Sequence, residues 1–179
     1  MDLDQLIKGC KKNQRKAQKE FYEYFFPYAM KICLRYSSSE EDALEVVNDG
    51  FLKIFKSLNK LKKNSAVKGW ISSIMVNSSI DHYRKNVKHK SSSFDNENEE
   101  NFSVNSEVLE RMSSEEILEM VMELPYPHRV IFNLYVIEGY SHKEISEKLS
   151  LGESTSRSYL TRANGMLRER LVKIQIPQS

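Results

Sequence analysis

The side chains with the most chemical potential stand late in the chain: Arg157, Ser158, Thr161 and Arg162. Two guanidinium groups and two hydroxyls within six residues can hydrogen-bond to base edges and hold phosphates. A second set, Glu45, Asn48 and Asp49, has (i, i+3, i+4) spacing and so shares one helical face. A third is cationic. Lys62, Lys63 and Lys68 lie in a basic stretch before Trp70, with Asn77, Arg84 and Lys85 downstream. Basic side chains beside aromatics are what a groove for unstacked single strands requires. None of these sets does covalent chemistry. The sequence has no carboxylates paired in a pocket pattern, no phosphate-cradling glycine loop and no nucleophile motif, so no enzyme is expected. Cys10 and Cys33 stand 23 apart without a CxxC, and His82, His89, His128 and His142 are scattered. Neither a metal nor a cofactor is expected, and both thiols read as packing or surface residues in a reducing cytoplasm.

The late basic set needs a helix to present it. In GYSHKEISEKLSLGESTSRSYLTRA (139–163), Ser141 and Glu144 form a capping box that opens a short helix burying Ile145 and Leu149. Ser150-Leu151-Gly152 breaks the pattern, and a second helix starts around Gly152. There Leu160, Ala163, Leu167 and Leu171 recur at three- and four-residue steps as a buried seam, leaving Arg157, Ser158, Thr161 and Arg162 away from it. The pattern reads as a helix-turn-helix whose second helix meets DNA. An ordinary helical hairpin with a solvated basic face is the plainer alternative.

Upstream, 20–36 is aromatic-rich at helical spacing and reads as core. Residues 37–58 begin with Glu40, Glu41 and Asp42, where the helix dipole favours anions, and carry a buried stripe of Val46, Val47, Phe51, Ile54 and Leu58. Gly50 within that helix costs about 1 kcal/mol relative to Ala, which is tolerable if something packs closely there. A basic loop holding Lys62, Lys63 and Lys68 follows, then a helix over 70–90 with Trp70, Ile71, Ile74 and Ile80 inward. Asn77, Arg84, Lys85 and Lys88 face outward or lie at its edge.

Charge divides the chain the same way. The net charge of +2 hides a strongly basic 1–90, an acidic 91–113 and a nearly neutral 114–179 whose basic residues cluster after Arg157. Residues 91–107 are Ser, Asn and Glu with two isolated phenylalanines, too polar to bury a core. The expected architecture is all-α: two small helical domains, 1–90 and 112–175, joined by a flexible acidic linker, 91–111, with the second helical pattern opening near Val108. No apolar run approaches the roughly 20 residues a membrane span needs, and the start of the chain has no apolar signal core.

Three blocks in this order resemble the extracytoplasmic-function (ECF) sigma factors, promoter-recognition subunits of bacterial RNA polymerase. EEDALEVVNDGFLKIF (40–55) looks like the family's polymerase-binding helix. WISSIMVNSSIDHYRK (70–85) is similar to the helix that meets the melted minus-ten element. The stretch from Leu124 to Ala163 looks like the fourth sigma region, which reads the minus-thirty-five element.

The resemblance implies that Glu45, Asn48 and Asp49 meet the clamp helices of core RNA polymerase. It implies that Lys62, Lys63, Lys68 and Asn77 lie along the nontemplate strand while Arg84 and Lys85 hold duplex phosphates. Arg157, Ser158, Thr161 and Arg162 match the face that enters the major groove. Promoter DNA and core polymerase are the implied partners, with an anti-sigma factor as a further one. Three positions depart from the family pattern. Asn48-Asp49 replaces Gln-Glu, Ser150 stands where glycine is common, and Ser156 replaces a buried valine, which should weaken the seam. Two rivals remain: a regulator with a terminal helix-turn-helix, needing an effector or receiver domain, and a nucleic-acid enzyme, needing a metal or acid/base constellation.

Overall fold

The computed structural model describes residues 2–87 and 113–175, and regular structure among them is helical throughout. The chain divides into two compact units, Met1–His89 and Lys90–Ser179. Lys88, the expected linker and the helical start near Val108 lie outside the described residues.

The first unit holds α1 (Leu3–Lys11), α2 (Arg15–Leu34), α3 (Glu40–Ser57) and α4 (Val67–Val87), with 3-10 turns at Leu58–Lys60 and Asn64–Ala66. Helix α1 was not anticipated. The Asp2 carboxylate caps it by accepting from the Asp4 N–H at 3.0 Å, and Leu6, Ile7 and Cys10 are buried at three- and four-residue steps. Helix α2 buries Phe21, Phe25, Ala29, Ile32 and Cys33, as the aromatic spacing predicts, with the Phe21 and Phe25 ring centroids 4.6 Å apart. Helix α3 starts at Ser39, whose hydroxyl accepts from the Asp42 N–H at 3.1 Å, and all five stripe residues from Val46 to Leu58 are buried. At Gly50 the helices α3 and α4 come so close that a Cβ would overlap the Met75 thioether. Packing therefore explains the glycine: its helix-propensity cost is offset by the close crossing.

Helix α4 begins three residues earlier than the sequence pattern suggests. The Asn64–Ala66 turn leads directly into it, and buried Val67 anchors its first turn. Lys68, expected in the loop, is therefore a helical residue. Ile71, Met75, Val76, Ile80 and Tyr83 form the buried face, whereas Trp70 and Ile74, both expected inward, are only half-buried at its margin.

The second unit holds α5 (Ser114–Met122), α6 (Tyr126–Phe132) running into a π turn (Asn133–Ile137), α7 (His142–Leu149) and α8 (Glu153–Gln175). Capping boxes open α5 (Ser113 with Glu116) and α7 (Ser141 with Glu144), the latter where the sequence places it. Ala163 packs with Val121 and Leu124, and Phe132, Met166 and Leu167 lie against that cluster. Buried Arg129 donates from Nη1 to the Met122 carbonyl at 2.6 Å, closing the end of α5. The turn between α7 and α8 passes through Ser150 in the left-handed region, φ 56°, the strained geometry that a glycine would relieve.

Ser156 corrects the sequence reading. It is fully buried, and its hydroxyl lies 2.9 Å from His142 Nδ1. The valine-to-serine departure thus exchanges an apolar contact for a directional polar one between α7 and α8, rather than only weakening the seam.

Candidate nucleic-acid interface

Helix α3 presents Glu45, Asn48 and Asp49 together, all exposed, on a face that the apolar stripe does not use. The Tyr22 hydroxyl donates to Asn48 Oδ1 at 3.0 Å, fixing that amide against α2. Leu52, one turn on from Asn48 and Asp49, is 57 % exposed and extends the polar face with an apolar contact. Sequence reading missed it, although its place off the buried stripe was a visible signal.

A groove of about 600 Å³ separates this face from the C-terminal half of α4. Asp42, Glu45 and Asp49 line one wall, and Asp81, Arg84 and Lys85 the other. His82 Nε2 lies 3.9 Å from Glu45, and Lys53 pairs with Asp81 at 3.3 Å. Residues that the sequence assigned to two separate contacts therefore share one cleft. Carboxylates that line the same groove as Arg84 and Lys85 lower the positive potential those cations offer a phosphate.

Along its length, α4 carries Trp70, Asn77 and Arg84 at seven-residue steps on one face. Asn77 is exposed and donates from Nδ2 to the Ser73 carbonyl at 2.8 Å. Trp70 and Ser73 line a cleft of about 440 Å³ with Lys62 and Lys63, so the basic loop and the tryptophan do come together. Lys68 does not join them. It borders a second cleft, of about 290 Å³, with Tyr24, Tyr28 and Lys31 of α2, where the Tyr28 hydroxyl donates to the Lys68 carbonyl at 3.4 Å. These α2 residues were also missed: the stretch was read wholly as core, but Tyr24 and Tyr28 repeat at four residues off the Phe21–Phe25–Ala29 stripe.

On α8, Arg157, Ser158 and Thr161 are exposed and Arg162 is half-buried. Arg157 pairs with Glu153 at 3.4 Å, and the Thr161 hydroxyl donates to the Arg157 carbonyl at 3.0 Å. Arg162 departs from the expected outward set. It sits on the flank toward His128, whose ring meets Tyr159 edge-on at 4.8 Å. Burial, then the Arg162 charge, hold the His128 imidazole below the usual histidine range. His142, on the other flank, is lowered by burial and by Arg157, with Glu153 opposing. Among the described residues no three His, Cys, Asp or Glu side chains gather as metal ligands would, and no helix is long and apolar enough to cross a membrane.

Comparison with known proteins assigns both units. Residues 21–89 match the family Sigma-70 region 2, and residues 114–164 match Sigma-70, region 4. The chain is 31 % identical over 139 residues to RNA polymerase sigma factor SigZ of Bacillus subtilis, covering 73 % of this chain and 72 % of that one. It is 27 % identical over 143 residues to SigV of the same organism, covering 80 % and 84 %. ECF RNA polymerase sigma factor SigM of Mycobacterium tuberculosis is 24 % identical over 131 residues, covering 73 % of this chain and 65 % of that protein. Such proteins bind core RNA polymerase and promoter DNA and so direct transcription initiation, and this chain belongs to the ECF RNA polymerase sigma factors.

Proposed function

We propose that this sigma factor docks on core polymerase through the α3 face of Glu45, Asn48, Asp49 and Leu52. The unpaired minus-ten strand then runs along Lys62, Lys63, Lys68 and Asn77, with Arg84 and Lys85 on the adjoining duplex. Arg157, Ser158, Thr161 and Arg162 of α8 read the minus-thirty-five element. The protein acts in the cytoplasm without a catalytic centre of its own. Binding supplies the work: stacking and phosphate contacts offset an unstacking cost of a few kcal/mol per base step.

The observation that supports this most is the exposed polar face of α3 and its position on the shared groove. A polymerase surface that pairs with Glu45 and Asp49 also neutralises two of the carboxylates in the groove that Arg84 and Lys85 line. Docking thereby strengthens the grip of those two cations on phosphate, which ties DNA binding to the assembled enzyme. Reversing Glu45 and Asp49 to Lys tests the reading. The double variant should lose co-purification with core polymerase while its melting temperature stays within a few degrees, since both side chains are exposed. Wild-type binding by that variant removes α3 from the docking surface.

A further inference from the structure

Beyond presenting its outer face, α8 must be held at one rotation about its own axis for that face to be read in register. We infer that His142 is a positioning residue for this helix. Its hydrogen bond to Ser156 fixes the aim of Arg157, Ser158 and Thr161, an inference that rests on α8 being the promoter-reading helix.

The bond joins the first residue of α7 to the first turn of α8, Nδ1 to Oγ, at 2.9 Å. Both ends are themselves held. The imidazole stacks on Tyr135 of the π turn, centroids 4.5 Å apart and planes 23° from parallel. The backbone of α7 is pinned immediately before it, where the Ser141 N–H donates to the Glu144 carboxylate at 2.8 Å. Ser156 is fully buried and stands directly before Arg157, about 100° around the helix from it. A rotation that breaks the bond therefore swings Arg157 by the same angle. Apolar contacts such as those of Ile145 and Leu149 are non-directional and tolerate small rotations; a hydrogen bond weakens steeply as its angle opens. Burial and the neighbouring Arg157 lower the imidazole's affinity for a proton, with Glu153 opposing. Around it stand Arg157 and Glu153 from α8 and Tyr135 from the π turn.

The consequence is a split between affinity and discrimination. Loss of the bond should blur base preference, while the phosphate contacts that set overall affinity stay in reach. In reconstituted holoenzyme, binding to a panel of single-base minus-thirty-five variants separates the two. His142→Ala and Ser156→Ala should each reduce the ratio between best and worst sequence by about fivefold. The double variant should be no worse than either single change, since both remove one bond. His142→Asn, whose side-chain oxygen falls close to the Nδ1 position, should restore the ratio. If His142→Ala leaves the ratio unchanged or lowers every sequence equally, the positioning role is overturned. Arg157→Ala serves as the control. If it too leaves the ratio unchanged, the reading of α8 fails rather than the role of His142.

Discussion

Both units present polar helical faces, and they do so with different internal materials. The first is held by aromatic and aliphatic burial, with Phe21, Phe25, Phe51 and Ile54 sealed inside and α3 pressed onto α4 at Gly50. Among the described residues the second has a smaller apolar core, and its helices are also tied by directional contacts. Arg129 closes α5, Arg170 ties α8 to Glu123 and to the Met120 carbonyl, and His142 meets Ser156. Apolar burial tolerates changes of pH, whereas a contact made by a histidine does not.

The largest expected effect breaks the first unit alone. Phe21→Ala removes a fully buried ring that packs on Phe25 and, at 5.9 Å, on Phe55, and should cost about 3–5 kcal/mol. Trp70 is the only tryptophan in the chain, so its fluorescence reports unfolding of that unit. The transition should move to lower denaturant, while amide protection in α7 and α8 is unchanged; loss of protection there would show that the two units are not independent.

A smaller effect sharpens the contrast from the other side. Ser150→Gly relieves a left-handed serine and should stabilise the second unit by about 0.5–1 kcal/mol, a rise of a few degrees. A fall would mean that the Ser150 side chain makes a contact worth more than the strain.

The smallest effect is graded and follows pH. His128 and His142 have folded-state values below the ordinary histidine value of 6.5. The unfolded chain therefore takes up protons first as pH falls, so stability is full above about 6.5 and declines below it. Amide protection in α7 and α8 should drop between pH 7 and 5.5, and His128→Gln with His142→Asn should flatten that decline. An undiminished decline in the double variant would assign it to other groups. Further down, Glu116 and Glu144 are lowered by accepting from their own cap N–H groups, so both capping boxes weaken as pH falls below the ordinary carboxylate value of 4.5.

What the sequence disclosed follows the same division. The α3 stripe, the Ser141–Glu144 cap and the break at Ser150 to Gly152 were legible because each is written in residues three or four apart. The partner of Gly50 was not, since Met75 lies on another helix. Nor was the partner of Ser156, 14 residues from His142 and visible only once α7 and α8 pack. Lys68 was misplaced because a 3-10 turn can lead into a helix without any change in composition. The charge pattern predicted two contact surfaces, yet not that Arg84 and Lys85 share a cleft with Glu45 and Asp49, because helix periodicity gives faces and not neighbours.

Run-off transcription with core polymerase, using promoters that vary at both elements, tests the central claim most directly. The account predicts initiation from a defined promoter class. That initiation should be lost when Glu45 and Asp49 are reversed to Lys, and should lose minus-thirty-five preference when Arg157 becomes Ala. Promoter-selective initiation that survives both changes would contradict the division of labour between α3 and α8.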